Sequence, residues 1–160
     1  MTSTFLTHLL ETGQLQEHIE HTLRPAYATR YRALHAAIAK HLLPQGFSLP
    51  QPTRSVVGGF FVWLGLPEGM ASGELARVCR EDEGVIVAHG AMFEVPGDGG
   101  VRFEGNVRLC FAWEEEGSLV EGVRSIGRAA ERLIKGTRRR KSEGYVIVEK
   151  RDAVGAGDFK

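Results

Sequence analysis

One arginine of this chain has neighbours that point to chemistry. Arg108 stands in Asn106-Val107-Arg108-Leu109-Cys110-Phe111-Ala112. Val107, Leu109 and Phe111 alternate as the apolar face of a strand, which leaves Asn106, Arg108, Cys110 and Ala112 on the other face. A guanidinium among small neighbours there needs an anion or several acceptors, since leaving it unpaired costs several kcal/mol. Its planar fork suits a carboxylate gripped through two N–H groups. Two kinds of partner meet that need: an Asp or Glu of the same fold in an internal salt bridge, or the carboxylate of a ligand.

The other candidates carry less. Gly58-Gly59, inside an apolar run, marks either a packing bulge or a place where a ligand or another backbone comes close. His18 and His21 lie one helical turn apart beside Glu17 and Glu20, but nothing supplies a third metal ligand, so a solvated face is expected and no metal site. His89 reads as a loop residue rather than a base. Cys110 reads as a small core residue, because no histidine is placed to activate it. The run Arg138-Arg139-Arg140-Lys141 is short and has no interleaved aromatics, so a solvated tail is expected rather than a nucleic-acid contact.

These residues need elements to position them. Phe5, Leu6, Leu9 and Leu10 make a short amphipathic turn or two, ended by Gly13. Leu15, Ile19, Leu23, Tyr27, Tyr31, Leu34, Ile38 and Leu42 then recur at helical spacing. Pro25 falls inside that run and predicts a kink near Leu23-Arg24. A helix of this length suits a span between domains better than a cover for a small sheet. Val56 to Leu66 is β-branched and aromatic and reads as a strand. Ser72 is expected to cap a helix through Cys79, with Leu75, Val78 and Cys79 inward. Val85-Ile86-Val87-Ala88 reads as a short buried strand, and the Arg108 strand follows a Gly-rich loop. Leu119, Val123, Ile126, Ala130 and Leu133 mark the buried stripe of a last helix, expected to stop at Gly136. Tyr145-Val146-Ile147-Val148 looks strand-like, within a loose tail.

The order helix, strand, helix, strand, strand, helix predicts an α+β fold. Its small, mostly antiparallel sheet is covered by helices on one face and preceded by a long, kinked, interdomain-type helix. Three regions are expected: an arm and long helix over 1–44, a small domain over 45–136, and a basic tail over 137–160.

Bulk properties bound the rest. The chain has 160 residues, 42% hydrophobic and 25% charged, which fits one globular domain with a real core. Twenty basic residues balance twenty acidic ones, so neither nucleic acid nor an anionic membrane is expected as a partner. Two distant cysteines, both in apolar surroundings, suggest a reducing, cytoplasmic setting. No secretory leader and no membrane span are expected.

Several of these segments together resemble a known family. Gly58-Gly59-Phe60-Phe61-Val62-Trp63-Leu64, Pro67-Glu68-Gly69, Gly84-Val85-Ile86-Val87 with His89-Gly90-Ala91-Met92-Phe93, Val107-Arg108-Leu109-Cys110-Phe111-Ala112 and Glu121-Gly122-Val123 follow one another as in the C-terminal small domain of class I/II aminotransferases. These are the fold-type I enzymes dependent on pyridoxal phosphate, and the aromatic and 2-aminoadipate aminotransferases are the subgroup most resembled. The resemblance runs to about Lys135. It implies that Arg108 grips the α-carboxylate of an amino-acid or 2-oxo-acid substrate, with Gly58, Gly59, Phe60 and Asn106 lining the same cleft.

The resemblance also implies what is missing. In the family the lysine that carries the cofactor, an aspartate for the pyridine nitrogen and the phosphate-binding turn lie on the large domain. Lys40, Lys135, Lys141, Lys150 and Lys160 lie in no such motif. The expectation is a small domain without its large domain, truncated or excised, with no catalytic residue and no cofactor held alone. It would need a large domain or a homodimer partner. The other expectation is a non-catalytic remnant that binds a carboxylate metabolite or a protein partner, with an apolar stripe at Leu15, Ile19 and Leu23 left bare for self-association.

Overall fold

The computed structural model describes residues 2–50, 59–100 and 102–152, without the side chains of 2–3 and 138–152. Helix α1 (Thr2–Glu11) ends in a turn where Gly13 adopts a left-handed φ of 73°. Helix α2 (Gln14–His18) then continues without a break through a π-helical stretch (Ile19–Leu23) into α3 (Arg24–His41). The widened turn has a local cause. A proline ring clashes with the carbonyl four residues before it. The π stretch lies immediately upstream of Pro25, where the Arg24 N–H reaches back to the Ile19 carbonyl. The expected kink is thus a π bulge that carries the helix past the proline.

A three-stranded antiparallel sheet follows, in the order β1-β3-β2. It comprises β1 (Phe61–Gly65), β2 (Ala88–His89) and β3 (Asn106–Cys110). Val62 pairs with Leu109 and Leu64 with Val107, so these four form one apolar face. All four are buried against helix residues that include Leu34 and Ile38 of α3, Leu75 and Cys79 of α4 (Ser72–Glu83), and Val123 and Ile126 of α5 (Glu116–Asp152). The fold is the α+β arrangement read from the sequence, with the helices on one face. Tyr27 and Tyr31 of α3 pack their ring edges on Phe111, just beyond β3. Arg30 Nη1 donates to the Ala112 carbonyl at 2.7 Å, which ties the long helix to the end of that strand.

Several local expectations are corrected. Ser72 does not cap α4: Ala71, in extended conformation, takes that place, and Ser72 is buried as the first helical residue. The helix runs past Cys79 to Glu83 and stops where Gly84 adopts φ 67°. The Val85–Ala88 run is not a buried strand. Only Ala88 and His89 pair with β3, so His89 belongs to a strand rather than a loop. Val87 is buried while Ile86 is 86% exposed: the segment is extended, but one face only is covered. Cys110 is exposed, because it lies on the face of β3 away from the helices, and Cys79 is the buried thiol. The last helix does not stop at Gly136 but continues to Asp152, so Tyr145–Val148 is helical. A helical glycine costs only about 1 kcal/mol relative to alanine and does not oblige a stop. Leu15, Ile19 and Leu23 are half-buried rather than bare. The part of the first predicted strand at Val56–Gly58 lies outside the described residues, and β1 occupies the rest from Phe61.

Candidate functional site

The uncovered face of the sheet carries Arg108. The register sets Trp63 of β1 and Ala88 of β2 directly opposite it on either side. The small Ala88 leaves room there, and a short helical turn (Gly90–Phe93) brings Phe93 over the strand. Arg108 Cζ lies 3.9 Å from the centroid of the Phe61 ring and 4.1 Å from that of Phe93. Trp63 meets Phe93 edge-on at 5.3 Å and lies tilted against Phe103, also at 5.3 Å. The guanidinium therefore sits in an aromatic cage, and each ring face attracts the cation by about 0.5–2 kcal/mol.

No carboxylate among the described residues pairs with Arg108, so the internal salt bridge weighed from the sequence is not formed there. Glu94, next to Phe93, is engaged within its own loop. Glu94 accepts the Phe103 N–H at 2.7 Å and Arg102 at 3.1 Å, closing the Gly-rich loop on itself. The Phe103 N–H, and then Arg102, hold the Glu94 carboxyl below its ordinary range. Gly90 is required beneath this loop: a Cβ there would stand 1.9 Å from the Phe103 carbonyl oxygen.

Beside the cage runs a groove of about 620 Å³. It exists because β2 begins only at Ala88, so Cys110, which pairs with Phe61 of β1, has no partner on the β2 side of β3. Val87, Leu119, Val123 and Ile126 form its apolar floor, and Arg108 and the 86%-exposed Trp113 stand at its rim. This combination can hold a planar anion by its charge next to an apolar surface. Besides the Cys110 thiol, the lining carries the Glu114 carboxylate and the Ser118 hydroxyl.

The other site residues read from the sequence are spread out. Gly59 is exposed, with φ 89°, at the entry to β1. Phe60 turns to the helix side, edge-on to Tyr27 at 5.5 Å, while its carbonyl accepts the Phe111 N–H. Asn106 shares the Arg108 face but sits at the far end of β3, opposite Gly65. Gly58 lies outside the described residues. Sequence reasoning missed Phe61, Trp63 and Phe93. The alternation in Phe61-Val62-Trp63 held the signal, but which strand it faced depended on the register.

No lysine among the described residues lines the groove. Lys40 is exposed on α3, and Lys135 on α5 pairs with Glu131 at 3.3 Å; neither lines the groove. The side chains of Lys141 and Lys150, and all of Lys160, lie outside the description. His18 and His21 are both exposed, and no group of three metal-ligand residues occurs among the described residues. No described helix is long and apolar enough to cross a membrane.

The family model for aminotransferase class I and II matches residues 2–126. The 2-aminoadipate transaminase of Thermus thermophilus is 30% identical over 134 residues, which are 84% of this chain and 31% of that protein. Among solved structures, the α-aminoadipate aminotransferase LysN of Thermus thermophilus, complexed with N-(5′-phosphopyridoxyl)-L-leucine, superposes with a TM-score of 0.66 at 30% identity over 81% of this chain and 30% of that one. The kynurenine aminotransferase of Pyrococcus horikoshii, in complex with PMP, gives 0.65 at 25% identity over 78% and 28%. The chain thus spans about a third of the length of these relatives. Its sheet order, the helix that enters it and the matched residues agree with one another, and the chain belongs to the class I and II aminotransferases.

Proposed function

We propose that this chain is the C-terminal, substrate-gripping domain of a pyridoxal phosphate-dependent aminotransferase. Arg108 holds the α-carboxylate of an amino acid or of the 2-oxo acid formed from it. The observation that carries this reading is a guanidinium with two aromatic faces against it and no carboxylate partner among the described residues, at the rim of a groove. The cofactor supplies the electron sink for amino-group transfer. Its anchoring lysine belongs outside these residues, so the chain alone is expected to bind but not to turn over. A large domain, or a second subunit, completes the site. Two unpaired cysteines support a reducing, cytoplasmic setting.

The test is a calorimetric or NMR titration of the full chain with L-leucine and with 4-methyl-2-oxopentanoate, using leucine methyl ester as control. Binding of both acids but not the ester is expected, with Arg108→Lys weakening it roughly 10- to 100-fold, the size of a lost charge-assisted bond. Equal binding of acid and ester, or no effect of the lysine, would overturn the reading.

A further inference from the structure

We infer that Phe61 and Phe93 are positioning residues which fix the plane of the Arg108 guanidinium, so that only its N–H edge faces a ligand. The inference rests on carboxylate binding by Arg108 and adds how that arginine is aimed. The ring centroids lie 3.9 and 4.1 Å from Cζ, so both rings stand against the guanidinium, one reaching it from β1 and the other from the turn after β2, and a ring on each face accounts for both distances. Guanidinium donors radiate in the plane of the group. With both faces covered by rings, that plane is what remains for an anion. A planar carboxylate, laid edge to edge, makes two parallel bonds there.

The cage also holds the arginine ready while no anion is present. A long side chain that is free to rotate loses entropy when a ligand fixes it, whereas a clamped one has lost it already. The two clamping rings come from different elements. Phe61 belongs to β1, diagonally across from Arg108, and Phe93 belongs to the turn after β2. Trp63 braces Phe93 from the edge, and the Glu94–Phe103 bond holds the loop that carries it. Phe61 is 43% exposed, a large apolar ring kept at the surface with the cation as its partner.

The experiment uses the full chain labelled with ¹⁵N-arginine, with the Arg108 side-chain signal assigned from Arg108→Lys. A guanidinium between two ring faces should give an upfield-shifted Nε–H resonance and slow rotation about Nε–Cζ. Phe61→Leu and Phe93→Leu should each return that resonance toward the ordinary position. Each should weaken 4-methyl-2-oxopentanoate binding about two- to tenfold, the effect of freeing one long side chain. Phe61→Tyr and Phe93→Tyr, which keep the ring, should restore both readouts. An unshifted resonance in the unmodified chain overturns the clamp. A shifted resonance with leucine variants that bind as tightly as the unmodified chain overturns the positioning role. A shifted resonance with no binding of the oxo acid at all overturns the carboxylate reading, and with it any role of the clamp in binding, while the clamp itself stands.

Discussion

At the scale of single residues, the chain separates two arginine chemistries and two thiol chemistries. Arg128 and Arg132 share the Glu83 carboxylate, at 2.8 and 2.6 Å, and so tie α4 to α5. Arg108 is held instead by aromatic faces, which attract the cation yet leave its donors free. The thiols differ in the same way. Burial, and then the charge of Glu83, pushes Cys79 from an ordinary 9.0 up to about 11. Between these values the unfolded thiol has lost its proton and the folded one has kept it. Stability from this group is therefore complete below about pH 9 and is lost as pH rises toward 11. Unfolding free energies from urea melts at pH 8 and pH 11 should differ by about 1–3 kcal/mol more in the parent chain than in Cys79→Ala. In the native chain at pH 8, a thiol reagent should label Cys110, which is exposed, and spare Cys79 until the chain is denatured. Labelling of both at equal rates would contradict the burial of Cys79. From alternation alone, Arg108 was legible as a cation on the strand face away from the core. Its aromatic partners were not, because they lie 47 positions before it (108 − 61) and 15 before it (108 − 93).

At the scale of elements, the site depends on a strand that begins late and a loop that folds back. β2 contributes two residues, and this shortness leaves the edge of β3 open to the groove. The loop between them returns so closely that Gly90 lies against the backbone of Phe103 and Asn106. Gly90→Ala would set a Cβ 1.9 Å from a carbonyl oxygen that has no rotamer with which to yield. It should cost about 1–3 kcal/mol or more in a chemical melt, and should shift the Arg108 resonance as Phe93 moves with the loop. Gly73→Ala, on the exposed side of α4 with open space around it, should be neutral or mildly stabilising and serves as the control. The α5 stripe was readable in advance: Leu119, Val123, Ile126 and Ala130 are all buried. The end of that helix was not, since a glycine in a helical pattern weakens the helix without specifying where it stops. Likewise the Val85-Ile86-Val87 run announced an extended segment but not which edge it would pair with.

At the scale of the whole molecule, the chain is a sheet with one face sealed by helices and the other carrying an aromatic-caged cation beside a groove. Titration with pyridoxal phosphate, followed by borohydride trapping and mapping of the labelled lysines, should give slow labelling spread over exposed lysines. One stoichiometric lysine would mean that the chain holds its own cofactor and would overturn the division of labour proposed above. The sequence by itself determined the fold class, the helix that leads into the sheet and the identity of Arg108 as its exceptional residue. Each of these follows from local periodicity and from the cost of an unpaired charge, and both are written along a few turns or one strand. Only the tertiary structure decided that no described carboxylate answers Arg108, that Phe61 and Phe93 do, and that Cys110 faces outward. Those outcomes depend on strand register and on where a loop comes to rest. A shift of one residue in register exchanges the two faces of a strand, so no local pattern can specify them.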